Sequence, residues 1–219
     1  MTALVIGATG LVGSVLVNQL LSDDRFNKLV VFARRSTGIQ HAKLTELIIE
    51  FDTPQNWKML VQGDVLFSSL GTTLKQAGSK GAQFKVDYTY QYQFAKAASE
   101  NGVKKYVLIS AASSSPNSKI FYSRMKGILE KDIKNLSFEH ITILRPGLLT
   151  GNRKEERFGE KLGAPILNFL HYLPGLNFLK PIAASVVAKA MINASFHHQD
   201  HINEYTLAEV FKLASLNEK

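Results

Sequence analysis

Thr2-Ala-Leu-Val-Ile-Gly-Ala-Thr-Gly-Leu-Val-Gly13 runs a short apolar stretch into three glycines spaced three apart, after which the chain continues with helical periodicity. An apolar strand that breaks into such a turn and restarts as a helix is built to hold the phosphates of a dinucleotide. Gly7 lets the backbone leave the strand sharply, Gly10 lets it approach a pyrophosphate, and Gly13 lets the helix pack close to the sheet. Thr9, Leu11 and Val12 share the turn. The start of the helix would present unpaired N–H groups and a positive dipole end to the phosphates.

Outward from this turn, apolar runs predict further strands near Lys28–Phe32, Thr45–Ile49, Val65–Ser68, Lys105–Ser110 and Thr142–Arg145, the first being Ala3–Ile6. Helical patterns lie between most of them. Strands alternating with helices give an α/β fold: a doubly wound parallel sheet with helices on both faces. Beyond Arg145-Pro-Gly147 the composition changes. Residues 151–163 are polar and charged, and 164–182 carry Leu, Phe and Tyr broken by Pro165, Pro174, Gly175 and Pro181. We read this as a small C-terminal cap on a single domain, with residues 1–150 as the cofactor-binding core. A helix over Ser185–Phe196 and a last strand over Glu204–Leu207 lead to a terminal helix.

The chain has 219 residues, 45% hydrophobic and 20% charged, enough for one well-buried core. It contains no cysteine, which removes disulfides, thiolate nucleophiles and sulfur-ligated metals from consideration. No apolar run reaches the roughly 18 residues of a membrane span. Only Met1 precedes the first strand, leaving no room for a signal or transit peptide, so a cytoplasmic location is expected. The net charge of +8 is spread along the chain without a dense run or an aromatic stripe. That distribution suits an anionic cofactor or substrate, and nucleic-acid binding is not expected. The oligomeric state is open, with a homodimer or a regulatory protein partner as options.

About 20 residues past the glycines, where NAD-preferring Rossmann units carry an acidic residue for the ribose, this chain has Ala33-Arg34-Arg35. A small residue followed by Arg34 and Arg35 leaves space for a 2′-phosphate and pairs with it, so NADP(H) is favoured over NAD(H). The contrasting reading is a solvated loop with two exposed arginines. At later strand ends stand Asp52, an acceptor for the adenine amino group, and Leu70-Gly71-Thr72-Thr73, lining the path toward the nicotinamide ribose. Pro146 and Gly147 close the series.

Tyr122 and Lys126 are four apart, a spacing that puts both on one face of a helix. There an ammonium can stabilise a phenolate. Ser110 ends the preceding strand. The roles follow: Tyr122 exchanges a proton with the substrate oxygen, Lys126 tunes it and binds the nicotinamide ribose, and Ser110 orients the carbonyl. Ser113, Ser114 and Ser115 compete for the serine role. A tyrosine and a lysine at this spacing also occur by coincidence on exposed helices; placement after the fifth strand favours the functional reading.

Taken together, the glycine turn, Leu70-Gly-Thr-Thr73, Ala77-Gly78, Val86-Asp87, Ser110, Tyr122 with Lys126-Gly127, and Arg145-Pro-Gly147 followed by Asn152-Arg-Lys-Glu-Glu-Arg157 resemble a known family. They are similar to the short-chain dehydrogenase/reductase superfamily in its atypical branch, and within it to the Tat-interacting-protein-like oxidoreductases. The resemblance covers nearly the whole chain. It implies a single NADP-binding Rossmann domain with a small cap, acting on a small carbonyl or alcohol, and a catalytic serine, tyrosine and lysine at Ser110, Tyr122 and Lys126. Two departures stand out: Ala111 where a second serine is expected, and an extra residue in Leu74-Lys75-Gln76. Both bear on the substrate pocket.

Other groups allow two readings each. Arg153 and Arg157 hold an acidic substrate or the cofactor phosphates, or they belong to a salt-bridged loop that ties down the cap. His197, His198, Asp200 and His201 form either a metal cluster or, as we favour, a solvated helix end, so no metal is expected. His140 is expected in a loop before a strand. Residues 169–178 form an apolar lid or an interfacial segment, and Pro174-Gly175 speaks against a continuous helix there. The absence of a Walker lysine, a Gly-x-Ser-x-Gly and a His-Glu-x-x-His disfavours NTPase, serine hydrolase and zincin chemistry. Besides an NADP-dependent oxidoreductase, the features suit an NADP(H)-sensing regulatory protein that gates a partner with little turnover.

Overall fold

A computed structural model describes residues 1–150 and 181–216. The chain opens with β1 (Thr2–Ile6), α1 (Leu11–Leu21), β2 (Lys28–Ala33) and β3 (Leu44–Ile48). It continues through α2 (Pro54–Trp57), β4 (Val65–Ser68), α3 (Leu74–Ala77), α4 (Lys80–Phe84), a π-helical segment Lys85–Tyr90 and α5 (Gln91–Glu100). The second half holds β5 (Lys105–Ile109), α6 (Phe121–Ile133), β6 (His140–Arg145) and β7 (Leu149–Thr150). After residue 180 come β8 (Ile182–Ala183), α7 (Ala184–Ala194), β9 (Ile202–Thr206) and α8 (Ala208–Ala214).

Seven strands form one sheet in the order β3-β2-β1-β4-β5-β6-β9, and every pair is parallel. The chain winds outward from β1 through β2 to β3, then from β4 on the other side of β1, so the direction of winding reverses between β1 and β4. In open α/β sheets, ligands bind beyond the strand C-termini at such a switch point. Register brings the relevant ends level: Ile6 lies beside Phe32 on one side and Ser68 on the other.

Strands covered on both faces need apolar residues at successive positions, and β1 supplies them. Ala3 and Val5 enter one core with Leu16, Val17, Leu20, Val187 and Met191 from α1 and α7. Leu4 and Ile6 enter the other, with Trp57, Phe94, Leu129 and Ile133. There the Trp57 and Phe94 rings stack at 4.0 Å.

Several expected boundaries move. Ser110 falls outside β5, although its N–H still donates to Leu144 O at 2.8 Å and extends the ladder by one bond. The last strand begins earlier and stops before Leu207, which turns out of the sheet at φ +45° to start α8. His140 was placed in a loop, whereas it opens β6 opposite Lys105 and its ring lies 3.6 Å from that of His198. Arg153, Arg157 and the apolar 169–178 stretch lie outside the described residues. Among the described residues, no helix is long and apolar enough to cross a membrane.

Candidate active site and cofactor cleft

The glycine turn has the geometry its spacing demands. Gly7 sits at φ +85°, and a Cβ there would meet Leu70 N at 2.4 Å. A Cβ on Gly13 would come 2.1 Å from Gly7 O, so the first turn of α1 lies directly on the turn backbone. Gly10 donates to Gly7 O at 2.9 Å and serves as the N-cap of α1. No side chain caps the helix and no acid occupies its first turn, so the amides at Leu11, Val12 and Gly13 face outward unopposed by negative charge.

A cleft of about 320 Å³ opens over this turn, lined by Gly7, Ala8, Thr9, Phe32, Ala33, Arg34, Arg35, Phe51 and Leu70. The end of β2 thus brings Arg34 and Arg35 to the same cleft as the glycines. Both are exposed, and neither is paired with a described carboxylate. Two exposed guanidinium groups beside a glycine turn put positive charge at this end of the cleft.

Asp52 does not line the cleft; its neighbour Phe51 does, buried against the Tyr90 ring at 5.1 Å. The Asp52 carboxylate is instead held by Lys85 at 2.7 Å and by the Tyr90 hydroxyl at 2.9 Å. The Lys85 ammonium, followed by the Tyr90 hydroxyl, keeps the Asp52 carboxyl below its usual range. The adenine-amino role assigned to Asp52 therefore meets a carboxylate already engaged, and the apolar wall that Phe51 forms beside Leu70 was missed. An apolar residue between Glu50 and Asp52 carries no periodic signal that would single it out.

Beyond β4, the loop through Leu70, Gly71 and Thr72 is pinned from the side. Thr72 N–H donates to Asp87 Oδ2 at 2.8 Å, and a Cβ on Gly71 would lie 3.2 Å from Asp87 Oδ1. Asp87 also faces Lys126, whose Nζ lies 3.6 Å from Oδ1. Both side chains are almost wholly buried, at 4% and 1% exposure. Burying a lone ammonium is costly, so a carboxylate opposite it is what makes this placement possible. Asp87 had been noted only as part of the resemblance.

Lys126 and the half-buried Tyr122 stand one turn apart on α6, as their spacing requires. Ser110 is 5% exposed, and its Oγ has no hydrogen-bond partner. Buried hydroxyls without a partner are uncommon in folded proteins. The competing serines separate. Ser113 Oγ accepts from Ser123 Oγ at 2.9 Å and Ser115 N–H donates to Ser123 O at 3.0 Å, while Ser114 Oγ is buried without a partner like Ser110. This serine loop lies so close to α6 that a Cβ on Gly127 would come 2.2 Å from Ser115 C.

Pro146 is buried and Gly147 half-buried where the chain leaves β6, and Pro146 O accepts from Ala112 N–H at 3.3 Å. Arg145 is turned away to structural work: it pairs with the buried Glu130 at 2.6 Å and with Glu204 at 3.1 Å. At the opposite edge of the sheet, His140 Nδ1 lies 3.3 Å from Asp200 O, and His201 Nδ1 lies 3.0 Å from Glu139 O. Among the described residues, no group of three or more potential ligands could hold a metal.

Residues 7–165 match a family model described as NAD(P)H-binding. A Candida albicans protein named Protein FMP52, mitochondrial, is 37% identical over 201 residues, 88% of this chain and 87% of the relative. The Saccharomyces cerevisiae protein of that name is 37% identical over 76% of this chain and 74% of its own. Among solved structures, MoeE5 in complex with UDP-glucuronic acid and NAD aligns at TM-score 0.72 with 16% identity, over 94% of this chain and 76% of that one. A short-chain dehydrogenase/reductase superfamily protein from Agrobacterium tumefaciens with bound NAD aligns at TM-score 0.71 with 14% identity, over 94% and 77%. The structural likeness shows the fold.

The expected cytoplasmic location does not stand, because the relatives aligned over most of the chain are named as mitochondrial proteins. That expectation rested on the position of the first strand, which is fixed by the sheet and carries no address. Glycine turn, sheet order and the aligned relatives lead to one assignment: the chain belongs to the NAD(P)H-binding family and has the fold of an atypical short-chain dehydrogenase/reductase.

Proposed function

We propose that the protein is an NADP-dependent oxidoreductase that interconverts a small carbonyl and its alcohol, with Tyr122, Lys126 and Ser110 as its catalytic residues. The observation that carries this reading is the buried, charge-paired Lys126 with a half-buried Tyr122 one turn away on α6; the buried, unpartnered Ser110 hydroxyl just past β5 supports it. When bound, the nicotinamide supplies or accepts the hydride. The chain's residues do the rest. Ser110 donates to the substrate oxygen and holds the carbonyl in place. Tyr122 gives its phenolic proton to that oxygen as reduction proceeds and recovers it in the reverse direction. Lys126 holds positive charge beneath the phenolate and offers N–H donors to the nicotinamide ribose.

The residues present fit the cofactor. A Cβ at position 7 or 13 would strike the backbone that shapes the turn, and Arg34 with Arg35 supplies the charge for a 2′-phosphate. Leu11 and Val12 offer amides to the pyrophosphate; Thr9, Leu70, Gly71, Thr72, Pro146 and Gly147 border its path across the strand ends. The test is identification of the nucleotide extracted from purified protein, followed by a carbonyl panel monitored at the nicotinamide absorbance band. NADP(H) in the extract and turnover of a panel member are expected. A chain that binds neither dinucleotide, or one whose turnover survives Tyr122→Phe intact, overturns the reading.

A further inference from the structure

We propose that Asp87 is a positioning residue, which holds the Lys126 ammonium and the Leu70–Thr72 loop in a fixed relation and thereby sets the nicotinamide half of the cofactor site. The proposal rests on the dinucleotide-binding reading above. Its first support is the separation of the pair. At 3.6 Å, Lys126 Nζ and Asp87 Oδ1 are beyond hydrogen-bond range, and Nζ makes no hydrogen bond to a described residue. The carboxylate therefore balances the charge of a buried lysine while the three N–H donors of that lysine remain for ligand hydroxyls and for Tyr122. Through its other oxygen Asp87 accepts from Thr72 N–H, so one side chain spans the catalytic helix and the loop that borders the cofactor path.

The second support is how Asp87 is held. Helical backbone continues without a break from α4 through the π-helical segment into α5. A π turn is rare and is found mostly at functional sites. This one is fixed from several sides. Lys85 and Tyr90 reach Asp52, the Tyr88 hydroxyl donates to Asp132 on α6 at 2.6 Å, and Gln91 Nε2 donates to Asp87 O at 2.7 Å. Gln91 is in turn held by the Ser68 hydroxyl at 2.7 Å. So many anchors on one irregular turn leave the Asp87 carboxylate little freedom to move away from Lys126.

The test compares wild type, Asp87→Asn, Asp87→Glu, Lys126→Met and the Asp87→Asn/Lys126→Met double variant in the full chain. Binding of NADPH is read by nicotinamide fluorescence, and binding of 2′,5′-ADP, which lacks the nicotinamide half, by calorimetry. Asp87→Asn should weaken NADPH about tenfold or more, the loss expected when a hydrogen bond to a charged group is misplaced, and leave 2′,5′-ADP within about twofold. The double variant should bind NADPH no worse than Lys126→Met alone, because Asp87 acts through that lysine. Asp87→Glu, which keeps the charge, should recover part of the affinity. Unchanged NADPH binding in Asp87→Asn, parallel loss of both ligands, or additive effects in the double variant would each overturn the proposal. If Asp87→Asn does not fold, the charge-balanced double variant and Asp87→Glu decide by the same ligand pair. A wild-type chain that binds no dinucleotide overturns the functional reading and this inference together, whereas wild-type binding with an indifferent Asp87 overturns the inference alone.

Discussion

Tyr122→Phe removes a single oxygen and leaves the ring that fills its place on α6. If that oxygen moves the proton, kcat should fall by about 100-fold or more while NADPH affinity stays within a few fold, a split that steady-state kinetics and fluorescence titration will read. Tyr122 and Lys126 stand out in the sequence because their helix spacing is local, and Ser110 because it ends the preceding apolar run. Asp87 does not, since its partners Thr72 and Lys126 lie far from it in sequence and no periodicity relates the three. The same limit applies to Asp52. Its position after β3 suggested a ligand acceptor, but the residues that occupy its carboxylate, Lys85 and Tyr90, come from a π turn whose geometry leaves no compositional mark.

Among the elements, the turn between β1 and α1 was legible because it depends on a short run of residue types, and the end of β2 lines the same cleft. The glycine at position 13 has a strict steric reason. Gly13→Ala would press a methyl group 2.1 Å from Gly7 O, so we expect a loss of roughly 1–3 kcal/mol in thermal or urea unfolding and abolished dinucleotide binding. Under the proposed NADP preference, the end of β2 selects the dinucleotide. Replacing Arg34 and Arg35 together with Ala should weaken NADPH by about 10-fold to 100-fold and NADH by far less, since only the former carries a phosphate for those guanidinium groups. Equal losses for both, measured by parallel titrations, would place the two arginines in solvent. Arg145 carries the opposite lesson. The Arg-Pro-Gly sequence looks like a ligand loop, yet its arginine joins α6 to β9 through Glu130 and Glu204.

For the molecule as a whole, the alternation of strand and helix was enough to give the sheet, because strands buried on both faces are apolar throughout and stand out from the helices between them. Long-range side-chain pairs set what composition could not. One of these gives the fold a pH dependence. Burial, reinforced by the charges of His140, Lys105 and His197, holds the His198 imidazole below its usual value. A histidine that resists protonation when folded contributes stability above its unfolded value near 6.5, and that contribution is lost as pH falls through and below it. The melting temperature should therefore drop between about pH 7 and pH 5, and His198→Gln should flatten that drop. An unchanged profile in the variant would assign the acid sensitivity elsewhere.

The small parallel pairing of β7 with β8 sets Leu149 beside Ile182 and Thr150 beside Ala183. The pairing is a small sheet of its own beside the seven-stranded one, and it sets the residues just after β6 against those that lead directly into α7. It holds the exit from β6 and the entry to α7 in a fixed relation whatever the length of chain that joins them, since the cost of closing a loop grows only slowly with its length. Four residues thereby fasten the strand that ends in Arg145 to the helix that covers Ala3 and Val5.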